Sequence, residues 1–365
     1  MAVERLVTDA AAARAFPAAA VEVGCHDTVL WQWTHGRLSY ADDAPAVTSE
    51  TLFDLASLTK VIATTPIAMQ LTSERRLLLN APVASYLSDW RGRDRERVTI
   101  ADLLEHCAGF MAWSDIFRRA ESRREFAHEI ATMPLEYTPR SRSTYSDLGF
   151  ILLGLILEQV AGQNLSELFD ARVGERDLTY TPGKAERART APTEDDRLLR
   201  GRLLVGEVHD ENAWRLGGVA GHAGLFGTAA AVGRYARLVM DTLRAPTRLG
   251  EPWLLRRFVQ QSTVPGSSRA LGWDRMRSTS SCGRRFTPAA FGHTGFTGTS
   301  LWIDPVLDLY VVLLTNRVHP QRPTDPIDGL ARLRPLVHEA IVEEFVHLRL
   351  FQGRGGGSGR GGSAS

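Results

Sequence analysis

The sequence predicts an α+β fold in which an antiparallel β-sheet, flanked by helices, is built from both chain ends, with a mostly helical domain inserted between them. β-prone segments separated by turn residues lie near the N-terminus and again after residue 266. Helical periodicity dominates the residues in between. We therefore expect an α/β domain in two parts, 1–80 and 266–350, an inserted helical domain over 81–265, and a disordered Gly/Ser/Arg-rich tail over 351–365.

The N-terminal region predicts one helix, two or three strands and a second helix. Residues 2–15 are Ala-rich and amphipathic, which favours a helix. Strands are predicted at 19–23, 29–33 and 38–40, because β-prone residues there alternate with glycine-containing turns. A largely apolar run after Ser57 predicts a buried helix that ends near Leu79.

The later elements are predicted from periodicity and from residues that start or stop helices. Thr99 and Asp102 have the spacing of a capping box, and Gly162 marks a helix end. Many turn residues over 179–211 predict a long surface loop. The predicted helices are 83–90, 99–106, 121–133, 148–161, 229–243, 253–259 and 327–348, and the predicted strands are 270–274, 291–295, 301–303 and 309–315.

Composition narrows the class of protein. The formal net charge is +1 and the arginines are spread along the chain, so we expect no nucleic-acid or membrane partner. Three cysteines without ligand spacing predict no disulfide framework, no metal and no cofactor. An acidic residue at position 4 and the lack of a long apolar segment argue against a signal peptide. We expect a soluble, cytoplasmic protein, and its oligomeric state stays open.

Ser57 and Lys60 form the first candidate catalytic motif. Residues three apart lie on one face of a helix, so the hydroxyl and the amine are expected to meet near the helix start. Only two of the 43 basic residues are lysines, Lys60 and Lys184. Arg stays protonated, whereas a buried Lys can have its pKa lowered enough to act as a base. A solvated Lys one turn after a Ser is the ordinary alternative, and composition favours the catalytic interpretation.

Two further segments offer the groups that a serine nucleophile needs. Tyr145 and Asp147 precede a predicted helix; beside a cationic Lys the pKa of Tyr145 is expected to fall, and Asp147 can bond to Lys60 and to substrate. The alternative roles are a packing aromatic and a simple N-cap. Glycines on the predicted strand around His293 indicate a close approach of another backbone. A flexible hairpin with a surface His is the alternative there.

Together the motifs Ser57-Leu-Thr-Lys60, Tyr145-Ser-Asp147 and His293-Thr-Gly295 resemble the serine β-lactamase and penicillin-binding-protein superfamily, in its class C branch. That branch includes D-alanyl-D-alanine carboxypeptidases, family VIII esterases and D-aminopeptidases. Residues 293–300 also resemble the corresponding segment of a related group of cytoplasmic muropeptide amidases. The resemblance covers about residues 20 to 345 and includes Leu103–Phe110 and Gly217–Phe226. It implies a β-lactamase/transpeptidase-like fold and a metal-free serine hydrolase.

The resemblance also implies residue roles. Ser57 is the acylated nucleophile, and Lys60 and Tyr145 share the duties of general base and acid. The backbone N–H groups of Ser57 and Phe296 form the oxyanion hole. The substrate-binding residues that it implies are Asp147, His293, Thr294 and Gly295. His222, on a glycine-rich loop, is a further candidate for contact with the cleft.

Two departures from the family pattern bear on the substrate. Asp147 stands where the group usually has Asn, and His293 replaces a Lys whose permanent charge binds the substrate carboxylate. Both changes weaken a dedicated β-lactamase interpretation. The expected substrate is a small ester or amide, such as a D-amino acid or muropeptide derivative. The alternatives are β-lactamase or D-alanyl-D-alanine carboxypeptidase activity and, from another class, a penicillin-type binding or sensing module that acylates without turnover.

Overall fold

The computed structural model describes residues 1–322 and 329–355. The strands are β1 (Ala18–Gly24), β2 (Val29–Gly36), β3 (Phe53–Asp54), β4 (Leu178–Tyr180), β5 (Asp195–Asp196), β6 (Arg202–Leu203), β7 (Leu225–Gly227), β8 (Asp274–Arg275), β9 (Phe291–Thr294), β10 (Ser300–Asp304) and β11 (Leu309–Thr315). Six of them form one antiparallel sheet in the order β2-β1-β11-β10-β9-β8, and three short strands form a second sheet in the order β3-β7-β4.

Helices cover both faces of the large sheet. They are α1 (Ala2–Ala12), α2 (Thr65–Ser73), α3 (Ile100–Leu104), α4 (Arg123–Thr132), α5 (Asp147–Ala161), α6 (Leu165–Arg172), α7 (Lys184–Arg187), α8 (Glu211–Arg215), α9 (Ala229–Arg244), α10 (Pro252–Phe258) and α11 (Gly329–Gly355). Side chains of α1 and α11, such as Val7 and Val337, pack on Val21 of one sheet face. Helix α9 packs on the other face, where Ala20 and Val232 join the larger core.

The predicted fold class is confirmed, because strands from both chain ends pair directly. Strand β1 pairs with β11 over six positions, from Ala19 with Thr315 to Gly24 with Tyr310. Most strand residues on these two elements are fully buried, as expected of a central pair covered on both faces. The division into domains at residues 80, 265 and 350 stays a prediction.

Several predicted elements differ from the structure. Residues 38–40 form a bend instead of a strand, and 83–90 contain only a short 3₁₀ turn, Val83–Ser85. The helix after Ser57 ends at Ser73, six residues before the predicted end. Helix α6 was not predicted, although Asn164 caps it and bonds to the backbone N–H of Glu167.

Two predicted segments need larger corrections. Residues 179–211 are not a plain surface loop: they contain short strands and a helix, and Arg200 and His209 are buried in them. The disordered tail was predicted to begin at residue 351, but α11 continues to Gly355. Residues 356–365 lie outside the described part of the chain.

Within residues 1–322 and 329–355, no single helix has the length and apolarity needed to cross a bilayer. Helices α5 and α6 meet that test only as a pair, and they are bent by 72° at the break between them.

Candidate active site

Ser57 lies in a turn that Asp54 organises. The buried carboxylate of Asp54 accepts hydrogen bonds from the backbone N–H of Ala56 (2.8 Å) and of His209 (2.7 Å). These bonds hold Ala56 at a φ of +48°, a backbone conformation that L-residues seldom adopt. The chain then enters a π-helical turn, Lys60–Thr64, and continues into α2. Ser57 therefore lies directly before the helix, which begins at Leu58. The predicted contact of its hydroxyl with the Lys60 amine near the helix start is confirmed.

Lys60 is fully buried and uses all three of its ammonium protons. It donates to Ser57 Oγ (2.9 Å), to Asp147 Oδ1 (2.7 Å) and to the carbonyl oxygen of His222 (2.9 Å). Burial disfavours the charged amine, but the charge of Asp147 and the contact with Tyr145 outweigh it and raise the pKa of Lys60. Lys60 is thus held as an ammonium, and it does not have the lowered pKa of a free base.

Tyr145 completes the cluster around the serine hydroxyl. Its phenol donates to Ser57 Oγ (2.7 Å) and also lies 3.2 Å from Asp147 Oδ1. Burial and the Asp147 carboxylate raise the pKa of Tyr145, and the opposing effect of Lys60 is smaller. The expectation that this pKa falls is therefore wrong, because the charge of Lys60 is already balanced by Asp147.

His106 fixes the segment that carries Tyr145. The backbone N–H of Ser146 donates to His106 Nδ1 (3.1 Å), and the imidazole ring lies 4.7 Å from the Tyr145 ring. His106 has a φ of +55° at the end of α3. Burial lowers the pKa of His106 well below its usual value, so the ring is neutral and can accept this bond. His106 therefore has a structural role, which is to hold the segment that carries Tyr145.

The strand that carries His293 lies against the serine turn. Thr297 Oγ1 donates to the Asp54 carbonyl oxygen (2.6 Å), and Thr299 Oγ1 donates to that of Leu55 (2.9 Å). A Cβ on Gly295 would stand 2.1 Å from Thr299 Oγ1, so only glycine fits this contact. The predicted close backbone approach at Gly295 is confirmed.

The two backbone N–H groups assigned to the oxyanion hole lie in the wall of one cavity. Ser57 and Phe296 both line it, and neither backbone N–H donates a hydrogen bond within the described part of the chain. Unused backbone donors that face a cavity are available to a developing oxyanion.

His293 is buried and uncharged. Its Nδ1 lies 2.8 Å from the carbonyl oxygen of Thr294, which places the ring proton on Nδ1 and leaves Nε2 as an acceptor without a partner in the described residues. Burial, with Arg269 and Lys60 nearby, lowers the pKa of His293 well below its usual value. Position 293 therefore carries no positive charge in the folded site, because the histidine that replaces the family's Lys is itself neutral.

His222 also lies at the site, where it contacts a second carboxylate, that of Asp210. Its carbonyl oxygen accepts a bond from Lys60, while its Nε2 lies 2.7 Å from Asp210 Oδ1. The side chain is almost fully buried. His222 thus contacts Lys60 through its backbone carbonyl and Asp210 through its imidazole ring.

Five of these residues, Ser57, Tyr145, Asp147, His222 and His293, border one cavity of about 670 Å³. Two exposed aromatic residues, Trp113 and Phe296, stand in its wall, and Phe296 stacks on His209 with ring centres 5.7 Å apart. Thr294 lines the same wall. A cavity of this size holds a small organic molecule and offers it both apolar and charged surface.

Arg269 is a cavity residue that the sequence did not reveal. Its guanidinium lies 5.1 Å from the centre of the Tyr145 ring and 4.0 Å from Asp274, and its side chain has no hydrogen bond within the described residues. Arg269 thus places a permanent positive charge near His293, which is itself uncharged. The cavity residues His209 and Asp210 were also missed, because both lie in or beside the segment predicted to be a surface loop.

A group with metal-ligand spacing lies apart from this cavity. Asp102, Glu105 and Cys107 have ligand atoms within 4.8 Å of one another. Arg140 and the backbone N–H of Thr99 already bond to Asp102, and burial raises the pKa of the Cys107 thiol. A neutral thiol beside an arginine is a poor cation ligand, so we assign no metal to this group.

The fold and the site define the class of β-lactamase-fold hydrolases. The chain belongs to the Beta-lactamase family, whose sequence profile matches residues 3–334. A protein from Escherichia coli (strain K12) named "Putative D-alanyl-D-alanine carboxypeptidase" is 31% identical over 309 residues, which cover 74% of this chain and 70% of that protein.

Solved structures show the same fold. A β-lactamase/D-alanine carboxypeptidase from Pseudomonas syringae superimposes with a TM-score of 0.73 at 16% identity, over 94% of this chain and all (100%) of that one. EstCE1, described as a hydrolase with promiscuous acyltransferase activity, superimposes with a TM-score of 0.71 at 20% identity, over 92% of this chain and 97% of that one. At such identities the likeness shows the fold alone.

Proposed function

We propose that the protein is a serine hydrolase that cleaves a small ester or amide, such as a D-amino acid or muropeptide derivative, through an acyl-serine intermediate. The observation that carries the proposal is the convergence on Ser57 Oγ of the Tyr145 phenol at 2.7 Å and the Lys60 ammonium at 2.9 Å. These are hydrogen-bond distances that activate a hydroxyl nucleophile. The unused N–H groups of Ser57 and Phe296 support the same function.

The geometry supports a proton route for acylation. As Ser57 Oγ attacks the acyl carbon, its proton passes to the Tyr145 oxygen, while the phenol proton moves to Asp147 Oδ1 at 3.2 Å. Tyr145 stays neutral in this exchange, and the negative charge passes from Asp147 to the oxyanion, while Lys60 keeps its positive charge. When the acyl bond to the leaving group breaks, Tyr145 gives a proton to that group and regains one from Asp147. A water then attacks the acyl-enzyme by the same route and restores Ser57.

D-alanyl-D-alanine carboxypeptidase activity is the second candidate. Arg269 favours it, because an arginine without a hydrogen bond in the cavity wall can bind the terminal carboxylate of such a peptide. The name of the Escherichia coli relative points the same way. β-Lactams also carry a carboxylate, so β-lactamase activity belongs in the same set of tests. A cytoplasmic location remains part of the proposal and rests on composition.

The test has two stages. The protein and its Ser57→Ala variant are treated with a fluorophosphonate and weighed intact, and we expect one adduct on the wild type and none on the variant. A panel of p-nitrophenyl esters, D-alanyl peptides and nitrocefin then identifies the substrate class. An absence of adduct on both proteins refutes an activated Ser57. A stable acyl adduct without turnover of any substrate instead supports the binding or sensing module.

A further inference from the structure

Asp210 stands in the wall of the cavity with one carboxylate oxygen uncommitted. Its Oδ1 accepts the backbone N–H of Ala213 (2.8 Å) and lies 2.7 Å from His222 Nε2. Its Oδ2 has no hydrogen-bond donor among the described residues, and about one fifth of the side chain is exposed. As the N-cap residue of α8, Asp210 therefore uses Oδ1 for bonds within the protein, and Oδ2 stays available to a ligand in the cavity.

This carboxylate is ionised and close to the nucleophile. Burial opposes the ionisation of Asp210, but the His222 imidazole and the N–H of Ala213 outweigh it and hold the pKa of Asp210 well below its usual range. The same His222 accepts a bond from Lys60 through its carbonyl oxygen. A single residue thus separates the carboxylate from the lysine that contacts Ser57.

The other carboxylates of the cavity already have cationic side chains beside them. Asp147 pairs with Lys60, Asp274 lies 4.0 Å from Arg269, and Glu211 bonds to Arg322. No Lys or Arg of the described chain lies within ion-pair distance of Asp210, whose partner is the imidazole of His222. Among the cavity acids of the described residues, Asp210 is the one that has neither a Lys nor an Arg beside it.

We propose that Asp210 Oδ2 binds an ammonium group of the substrate, so that preferred substrates are esters or amides with a free amino group near the reacting carbonyl. This inference rests on the proposed hydrolase function and specifies its substrate class. A protonated amine donates a charge-assisted hydrogen bond to an ionised carboxylate, and such a bond is strengthened where the cavity excludes water. Arg269 places a positive charge elsewhere in the same cavity, so one molecule with charges of both signs fits both groups.

The experiment compares two substrates that differ in one charge. These are the p-nitrophenyl esters of D-alanine and of N-acetyl-D-alanine, measured at pH 6, where the free amine is protonated. We expect the wild type to favour the D-alanine ester in kcat/KM, after correction for spontaneous hydrolysis. In Asp210→Asn the ratio of the two values is expected to fall about 10- to 100-fold, as for loss of a hydrogen bond to a charged group.

Glu211→Gln is the matched control, since it removes the same charge one residue away from a carboxylate that Arg322 already balances. Its ratio is expected to stay near that of the wild type. Equal losses on both esters in Asp210→Asn would overturn the proposal and leave Asp210 as a support for His222. A wild type that hydrolyses the acetylated ester as well as the free amine would also overturn it, whether or not the variant folds. Failure of the hydrolase function is distinct: neither ester would be turned over and Ser57 would form no adduct.

Discussion

Replacing Asp147 by Asn tests how the protein keeps Lys60 charged. The Asp147 carboxylate lies 2.7 Å from the fully buried Lys60 amine. At an effective dielectric constant of about 20, unit charges at that distance attract by roughly 6 kcal/mol. The amide oxygen of Asn still accepts a hydrogen bond worth about 1–1.5 kcal/mol. With about 1.4 kcal/mol per pKa unit, we expect the pKa of Lys60 to fall by roughly 3 units.

The chain is well suited to a direct measurement, because Lys60 and Lys184 are its only lysines. Labelling with ¹³Cε-lysine gives two NMR signals, and a Lys184→Arg variant assigns them. In the wild type the Lys60 signal is expected to titrate above the usual lysine range. In Asp147→Asn it is expected to titrate at a clearly lower pH.

The same variant changes activity and stability in defined directions. The pH–rate profile of Asp147→Asn is expected to rise through the lowered pKa of Lys60, because the neutral amine becomes a base there, whereas the wild type shows no such step. Since the folded-state pKa of Lys60 is raised in the wild type, the ion pair stabilises the fold below about pH 10.4 and loses that effect as the pH rises through the raised value. An unchanged Lys60 titration in Asp147→Asn would refute the reasoning.

Three further predictions follow from single contacts. Gly295→Ala places a methyl 2.1 Å from the Thr299 hydroxyl oxygen, so fluorophosphonate labelling of the folded variant is expected to slow at least 10-fold; labelling at the wild-type rate would contradict this. His106→Gly tolerates the φ of +55° but leaves the N–H of Ser146 without its acceptor, and urea unfolding is expected to show a loss of at least about 1–3 kcal/mol; unchanged stability would contradict the role of His106. Arg269→Gln is expected to raise KM about 10-fold or more for carboxylate-bearing substrates only, and an equal rise for their methyl esters would show that the arginine acts on structure.

The parts of the site that could be predicted are those encoded by short-range spacing. Ser57 and Lys60 are three residues apart, and Tyr145 and Asp147 are two apart, so each pair is set by local geometry. The capping box of Thr99 and Asp102 is equally local, and it is present as predicted. Strand β11 of the central pair was also predictable, because this buried strand is rich in β-prone residues.

The parts that could not be predicted depend on contacts between distant segments. Arg269 and Asp210 reach the cavity only after the chain has folded around it, and no local pattern marks either residue. The raised pKa of Tyr145 follows from its burial and from the Asp147 charge, which the spacing of the motif does not reveal. Residues 179–211 contain many charged side chains, so their sequence resembles that of a polar loop. In the structure such side chains are paired with one another, as Arg200 is with Asp196.

The hydrogen bonds that join Thr297 and Thr299 to the serine turn cross more than 240 positions of sequence. The proposed nucleophile and one half of the proposed oxyanion hole therefore come from distant parts of the chain, and they come together only after the central sheet has formed. The extent of covalent labelling at Ser57 can thus be used to follow folding over time. During refolding, the incorporated label counts the molecules that have completed this closure, separately from those that have only regained their helices.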